Sequence, residues 1–168
     1  MCPDFLVIGV TKGGTTSIHN YLQQHPEICM AEPKEPGYLS SEYHTFDNVV
    51  SDRKDYNARF KVSNMNEILG DATPWYLHSP SVPYEALQIN KEMKFVVVLR
   101  QPVLRAYSHY NHLINLGHLP NEPFKDYFQN ISDKYSKTLG DPKHCFEFST
   151  GKNAPVYHSY YSAALSMF

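Results

Sequence analysis

Several features that would place a chain in a broad class are missing from this sequence. It has no apolar run of the roughly 18 residues that a transmembrane helix needs, and it lacks the basic leader of a secretory signal. Its net charge is only −2, which gives no general attraction to nucleic acid or to an anionic membrane. These absences predict a protein without a membrane segment or a nucleic-acid partner, and they favour the cytoplasm.

Cysteine is also scarce. The three cysteines are Cys2, Cys29 and Cys145, and no two of them have the spacing of a metal or redox site. An odd count permits one disulfide and one free thiol, but three free thiols in a reducing compartment is the simpler interpretation. The sequence has no cluster of metal ligands either, so we expect no metal site.

The length and composition are those of an ordinary globular domain. The chain has 168 residues, of which 42% are hydrophobic and 19% charged, and a chain of this size buries roughly two-thirds of its unfolded surface. We therefore expect a single domain over residues 1–168. A helix-like pattern continues to the last residue, Phe168.

The most informative segment is FLVIGVTKGGTTSIHNYL, residues 5–22. The apolar run from Phe5 to Val10 suits a strand that is buried on both faces of a parallel sheet. Gly13 and Gly14 permit a tight turn, and the three hydroxyl residues that follow are of the types that begin helices. Because a helix N-terminus presents unpaired N–H groups and the positive end of a dipole, the loop is suited to holding an anion.

This loop differs from the nucleoside-triphosphate pattern G-x-x-x-x-G-K-[ST] in the position of its cation. Thr16 occupies the Ser/Thr position, but Thr15 replaces the lysine, and the only lysine of the loop is Lys12. A triphosphate site also needs a strand that ends in Asp, whereas the apolar run 95–99 ends in Arg100. Both departures argue against ATP with magnesium and favour a nucleotide bound by cations and backbone amides.

Five segments resemble the PAPS-dependent sulfotransferases and follow one another along the chain as they do in that family. The resemblance is closest to the branch that acts on carbohydrates such as heparan sulfate. KGGTTS at 12–17 resembles their 5′-phosphosulfate loop, and VVLRQPVLRAYSHY at 97–110 resembles their 3′-phosphate element. That element is a strand ending in Arg, followed by Pro and by a Ser eight residues beyond the Arg. Further matches are HP at 25–26, KEP at 34–36 and TPWY at 73–76.

The resemblance implies a donor, an acceptor class and a binding site. The donor would be PAPS (3′-phosphoadenylyl sulfate), the product PAP, and the acceptor a hydroxyl or amine of a small molecule or glycan, with carbohydrate favoured. The residues that would bind PAPS are Lys12, Gly13, Gly14, Thr15, Thr16, Ser17, Arg100 and Ser108. Family members usually continue further than Phe168, so the resemblance implies a minimal domain or one that is incomplete at its C-terminus. If the chain is a fragment of a longer protein, the Golgi lumen is the alternative compartment.

Two residues would take part in the chemistry. Sulfuryl transfer, like phosphoryl transfer, depends on positioning and charge stabilisation, and Lys12 would stabilise the departing phosphate. The resemblance places the general base in the Lys-Glu-Pro segment, at Glu35, while Glu32 in the same loop is the competing carboxylate. Cytosolic small-molecule sulfotransferases use a histidine instead, but His109 falls on a predicted helix, where partial burial is ordinary.

Three further residues have simpler interpretations. His25 follows the first predicted helix and ends it, and Arg105 fits a charge on the surface of a later helix. Trp75 fits either an acceptor cleft or a half-buried core position. Family members also have a basic, glycine-containing loop that closes over the nucleotide, and the nearest segment here, Gly151-Lys152, does not match it in order.

We predict an α/β fold with a central parallel sheet flanked by helices on both faces, similar in outline to P-loop kinases. Strands are predicted at 5–10, 28–31 and 94–100, with weaker strand edges at 59–63 and 67–70. Helices are predicted at 17–24, 56–60, 82–89, 102–115, 124–135 and 157–168. Residues 71–76 are predicted to turn into a helix capped by Thr73. The strand at 28–31 is predicted to lie next to the strand of the phosphate loop, which would bring Glu32 and Glu35 to the acceptor side.

Two other functions remain open at this point. A P-loop nucleotide kinase or other NTPase would bind ATP with magnesium. A non-catalytic nucleotide-binding module would bind PAP without turnover.

Overall fold

A computed structural model describes residues 2–41, 49–135 and 153–168. The chain divides into two compact units, residues 1–99 and 100–168. Each unit is described by itself, and the expectation of a single domain stays a prediction.

The first unit is built on four parallel strands. They are β1 (Phe5–Gly9), β2 (Ile28–Met30), β3 (Ile68–Ala72) and β4 (Lys94–Val97), in the spatial order β2-β3-β1-β4. The helices of this unit are α1 (Thr15–Leu22), α2 (Arg53–Asn57) and α3 (Val82–Ile89), and single 3₁₀ turns occupy Tyr38–Ser40 and Tyr76–His78. The predicted α/β class, with a parallel sheet flanked by helices, is confirmed.

Side chains alternate between the two faces of this sheet, as the period of a strand requires. On one face Val7, Met30 and Ala72 form an apolar cluster that Ile18 and Leu22 of α1 cover. On the opposite face Leu69 packs in a second cluster whose other buried members are Ala31, Val50, Tyr56 and Phe60. Strand β1 is buried on both faces, which accounts for its unbroken apolar sequence.

Residues 59–76 correct three predictions. Residues 67–70 were expected to form a strand edge, but β3 runs to Ala72 and pairs with both β2 and β1. Residues 59–63 form no strand. Thr73 does not cap a helix, because the following 3₁₀ turn is preceded by Trp75 and has no side-chain cap; the Thr73 hydroxyl instead bonds to Asp71.

The order of the strands corrects a fourth prediction. Strand β2 is not the neighbour of β1, because β3 lies between them. The loop that leaves β2, residues 32–37, is therefore two strands away from the loop that leaves β1. The segment that leaves β3 comes between these two loops along the edge of the sheet, and its residues become important below.

The second unit consists of helices in the part that the structure describes. These are α4 (Pro102–Asn115), α5 (Phe124–Tyr135), α6 (Ala154–Tyr157) and α7 (Tyr161–Leu165). Helices α4 and α5 begin and end where the sequence predicts. The single helix predicted at 157–168 is wrong, because α6 and α7 are separate short helices. The core of this unit contains Tyr110, Leu119, Tyr127, Ile131 and Val156.

Arg105 corrects a further prediction, since it is completely buried and is not a surface charge. Its guanidinium donates to the Ser159 hydroxyl at 3.0 and 2.9 Å and to the Pro155 carbonyl, and it lies 3.2 Å from His109 Nδ1. Burial lowers the pKa of Arg105 to about 10. Arg105 therefore ties α4 to the segment that contains α6.

Two observations concern membranes and thiols. Searched over the described ranges, the chain has no helix that is both long and apolar enough to cross a membrane. Cys2 and Cys29 are free thiols, while Cys145 lies outside the described residues.

Candidate active site

The phosphate loop, residues 10–17, leaves the carboxyl end of β1 and enters α1. Gly14 is the N-cap of α1 and has a left-handed backbone, with φ of 114°. The first bond of the helical ladder runs from the Ile18 N–H to the Gly14 carbonyl at 3.1 Å. The amides of residues 14–17 precede that bond, so they are the groups that a helix start offers to an anion. The chemistry of this donor set fits a phosphate or sulfonate.

Gly13 is required by close packing. Its N–H donates to the Val10 carbonyl at 2.7 Å, and a Cβ at this position would lie 2.6 Å from the Val98 carbonyl oxygen. The Val10 N–H in turn donates to the Val98 carbonyl at 2.9 Å. The start of the loop is therefore held by its own chain and by the residue after β4, and any side chain larger than that of glycine would displace it.

The three hydroxyl residues of the loop occupy the first turn of α1 and do not cap it. Thr15 is buried, whereas Thr16 and Ser17 are exposed. Thr16 and Ser17 therefore remain the better candidates for direct contact with a bound anion, while Thr15 packs inside the unit.

Lys12 and Glu35, the two predicted catalytic residues, share an uncommon backbone conformation. Each has φ of 66°, and they are the only non-glycine residues with positive φ in the part of the chain that the structure describes. A left-handed conformation costs a non-glycine residue free energy, and such residues concentrate at functional sites. Both residues follow the carboxyl ends of parallel strands, the edge at which open α/β sheets bind ligands.

The Glu35 loop, residues 32–37, leaves β2. The Lys34 ammonium contacts Glu35 Oε1, and the Glu35 side chain is 31% exposed, so it remains accessible to a substrate. The Val50 N–H donates to the Pro36 carbonyl at 2.8 Å, and Gly37 ends the loop with φ of 65°. Glu35 is thus an accessible carboxylate on a loop whose backbone is held on both sides.

Glu32, the competing carboxylate, bonds to helix α1. It accepts from Gln23 Nε2 at 2.5 Å, and His19 Nε2 lies 3.6 Å from its Oε1. His19 is a residue that the sequence analysis missed: burial, and then the charge of Lys34, lower its pKa, whereas Glu32 and Glu35 act in the opposite direction. These interactions place the charges of the Glu35 loop against the helix that begins at the phosphate loop.

A second missed residue is Asp71, a carboxylate that is fully buried on β3 beside Leu6. Its Oδ1 accepts from Thr73 Oγ1 at 2.7 Å, and its Oδ2 accepts from the Tyr56 and Tyr76 hydroxyls, both at 2.9 Å. We call these four residues the Asp71 network. The local sequence carried no signal for it, because Tyr56 lies 15 residues away along the chain.

Burial raises the pKa of Asp71 to about 6 from its ordinary 3.8, although the three hydroxyl donors oppose the change. The folded protein therefore binds this proton more tightly than the unfolded chain does. The stabilising contribution is complete below pH 4 and is lost as the pH rises through 6. We expect Asp71 to lower the free energy of unfolding by about 3 kcal/mol between pH 4 and pH 7.

Urea denaturation of the wild type and of Asp71→Asn at several pH values in that range measures this contribution. The difference between the two proteins isolates Asp71 from other titrating groups. A difference that does not change with pH would show that the hydroxyl donors balance burial, and one that favours the wild type increasingly as the pH rises would show that they outweigh it.

The predicted 3′-phosphate residues lie in the second unit. Arg100 is exposed and precedes α4, and its carbonyl accepts from the Tyr161 hydroxyl at 2.6 Å. The Gln101 side chain caps α4 by accepting from the Leu104 N–H at 2.7 Å. Ser108 is half-buried in the second turn of that helix. The C-terminal segment thus helps to fix the backbone that carries Arg100.

The remaining predictions have mixed outcomes. His25 is exposed after α1, while His109 is buried, more deeply than the partial burial expected. Across the described ranges, no group of three or more His, Cys, Asp or Glu side chains could hold a metal ion. The Gly151-Lys152 segment lies outside the described residues.

Comparison with known proteins decides the family. Residues 2–149 match the sulfotransferase domain family. The chain belongs to this family. It is 34% identical over 109 residues to a membrane-associated sulfotransferase, kil1, of Dictyostelium discoideum, an alignment that covers 65% of this chain and 22% of that protein. It is also 29% identical over 146 residues to heparan sulfate glucosamine 3-O-sulfotransferase 5 of Mus musculus, which covers 85% of this chain and 38% of that protein.

The fold of this sulfotransferase domain is also found in a crystal structure. A sulfotransferase from Alicyclobacillus acidocaldarius superposes with a TM-score of 0.76 at 22% identity, over 99% of this chain and 68% of that one. At this identity the likeness concerns the fold. The chain spans between 22% and 38% of the length of the two curated relatives above.

Proposed function

We propose that this domain transfers the sulfuryl group of PAPS to a hydroxyl or amine, with carbohydrate as the acceptor class. Lys12 stabilises the leaving phosphate, Glu35 is the general base, and the amides of residues 14–17 and the hydroxyls of Thr16 and Ser17 bind the 5′-phosphosulfate, with Gly13 forming the turn. Membership of the family supports the reaction, whereas the donor, the acceptor and the residue roles are our assignments.

One observation carries the assignment of the catalytic pair. Lys12 and Glu35 combine the left-handed backbone, a position after the end of a parallel strand, and a place in the two segments that resemble the family. The sequence resemblance points to these two residues without any use of their backbone angles. Two independent features therefore agree on the same two residues.

The chemistry needs little more than these groups. The acceptor oxygen or nitrogen forms a bond to sulfur while the bond from sulfur to the 5′-phosphate oxygen breaks. Glu35 accepts the proton of the acceptor, and the departing oxygen gains negative charge, which the ammonium of Lys12 stabilises. Lys34, in contact with Glu35, helps to hold the base in place.

Arg100 and Ser108 are assigned to the 3′-phosphate from the motif in the second unit. A guanidinium binds phosphate through two parallel charge-assisted hydrogen bonds, and a serine hydroxyl adds one donor. This phosphate distinguishes PAP from 5′-AMP. The assignment therefore predicts which nucleotide should respond to a change at Arg100.

We expect Arg100→Ala to weaken PAP binding by about 10- to 100-fold, because the variant loses hydrogen bonds to a charged group. The affinity for 5′-AMP, which lacks the 3′-phosphate, should be unchanged. Calorimetric titration of both nucleotides measures this, with Arg53→Ala, an exposed arginine of the first unit, as the control. An equal loss for PAP and 5′-AMP would assign Arg100 to another role.

The acceptor class rests on the relatives. Two kinds of relative are heparan sulfate sulfotransferases, one acting at the glucosamine 3-O position and one a bifunctional N-deacetylase/N-sulfotransferase. The net charge of −2 offers little attraction to a highly sulfated polymer. We therefore favour glycans of low charge over heavily sulfated ones.

The experiment that tests the proposal uses PAPS labelled in its sulfuryl group. The acceptors are a neutral oligosaccharide, unsulfated heparosan, heparan sulfate and a simple phenol. Label transferred to a glycan in the wild type supports the proposal, and transfer to the phenol alone would replace the acceptor class. PAP binding without transfer to any acceptor would favour a non-catalytic nucleotide-binding module.

A further inference from the structure

The Asp71 network contacts the chain segment that follows Glu35. Thr73 Oγ1 accepts from the Gly37 N–H at 3.4 Å, and the Tyr76 hydroxyl accepts from the Leu39 N–H at 3.3 Å. Gly37 is two residues from the general base. Two backbone amides, one at the last residue of the Glu35 loop and one two residues beyond it, are therefore bonded to hydroxyls that also bond to Asp71.

The orientation of the two hydroxyls depends on the carboxylate. A hydroxyl has one proton to donate and two lone pairs with which to accept. An ionised carboxylate can only accept hydrogen bonds, so the Thr73 and Tyr76 hydroxyls both donate to Asp71. The lone pairs of both hydroxyls then remain available to accept from the amides. Asp71 thus determines where the two hydroxyl protons point, and it leaves the lone pairs of both hydroxyls available to the Gly37 and Leu39 amides.

Other contacts leave the anchored segment little freedom. A Cβ on Gly37 would lie 2.8 Å from Val49 Cγ2 and 3.1 Å from Trp75 Cζ2, so the backbone is enclosed on two sides. The Trp75 indole N–H donates to the Ser40 hydroxyl at 3.0 Å. The chain that leaves β3 therefore holds the chain that leaves β2 at several points, and Asp71 lies at the buried end of this arrangement.

We propose that Asp71 is a positioning residue for sulfuryl transfer, because it orients the Thr73 and Tyr76 hydroxyls that hold the backbone next to Glu35. The proposal rests on the proposed function, in which Glu35 is the base. It assigns no contact with substrate to Asp71. It also explains why a carboxylate is retained in the interior of a sheet, where burial of a charge is costly.

The test compares Thr73→Val with Thr73→Ser. Valine keeps the shape of threonine but has no hydroxyl, whereas serine keeps the hydroxyl and loses a methyl group. In Thr73→Val we expect faster hydrogen exchange at the Gly37 amide and a kcat lower by about 10- to 100-fold, the cost of misplacing a catalytic group by about 1 Å. The KM for PAPS should not change, and Thr73→Ser should restore both kcat and the slow exchange.

A second variant and the exchange measurement keep the test decisive. Tyr76→Phe removes the bond to the Leu39 amide, so we expect faster hydrogen exchange at that amide and a similar fall in kcat. This variant replaces Thr73→Val in the test if Thr73→Val does not fold. Faster exchange at Gly37 with an unchanged kcat would overturn the positioning role, and unchanged exchange in both variants would overturn the anchoring of the loop. If the wild type has no transfer activity, the proposed function fails, whereas the exchange rates still decide whether the network anchors the loop.

Discussion

Glu35→Gln is expected to lower kcat by about 10²- to 10⁴-fold, the range that a positioned general base contributes. The glutamine amide has nearly the size of the carboxylate but cannot accept the proton of the acceptor. The affinity for PAP should stay close to that of the wild type, because Glu35 is not assigned to nucleotide binding. Single-turnover transfer from labelled PAPS, combined with calorimetric titration of PAP, separates the two effects.

Glu32→Gln is the matched control for that experiment. It makes the same change in the same loop, but Glu32 contacts His19 of α1 and Gln23, the residue that follows this helix. We expect this variant to keep most of the transfer activity. If Glu32→Gln is inactive while Glu35→Gln is active, the base has been assigned to the wrong carboxylate of the loop.

The second large effect is expected at Lys12. Lys12→Met keeps a long apolar side chain and removes the charge that would stabilise the leaving phosphate, and we expect kcat to fall by about 10²- to 10³-fold. The charge on the leaving oxygen develops mainly in the transition state, so the loss should be larger in kcat than in PAP affinity. Transfer rates and PAP titrations on the same protein preparation measure the two quantities.

Lys54→Met controls for the loss of a positive charge, since Lys54 is an exposed residue of α2. Its transfer rate should equal that of the wild type. Equal losses of kcat and of PAP affinity in Lys12→Met would mean that Lys12 binds the nucleotide in its ground state without selective stabilisation of the leaving group.

Helix α4 shows what the sequence could predict. Pro102 stands at its first turn and Gly117 follows its end, and both residues act through local backbone preferences. The predicted bounds, 102–115, agree with the structure for this reason. Strand β1 was equally predictable, since an unbroken apolar run before a glycine turn has few other interpretations.

Strand β3 shows where local patterns fail. It contains Gly70 and Asp71, two residue types that are rare in strands, and the predicted strand edge stopped at residue 70 because residues 71–76 were predicted to turn into a helix. The buried carboxylate is satisfied by hydroxyls from Tyr56, Thr73 and Tyr76, and the first of these belongs to a different part of the chain. A pattern of neighbouring residues cannot reveal partners that only the fold brings together.

Arg105 was misassigned for the same physical reason. On α4 it has the spacing of a surface charge, but its partners Pro155 and Ser159 lie 50 and 54 residues further along the chain. The same distinction holds in the candidate site, where Lys12 and Glu35 were predicted from local motifs. The contacts of Glu32 with α1 and the anchoring of Gly37 by the Asp71 network required the structure.

Nucleotide selectivity tests the central claim most directly. PAP without magnesium and ATP with magnesium are titrated into the wild-type protein by calorimetry. A sulfotransferase site built on Lys12 and on the amides of residues 14–17 should bind PAP, and ATP with magnesium should bind more weakly or not at all. Binding of ATP with magnesium together with no binding of PAP would contradict the account.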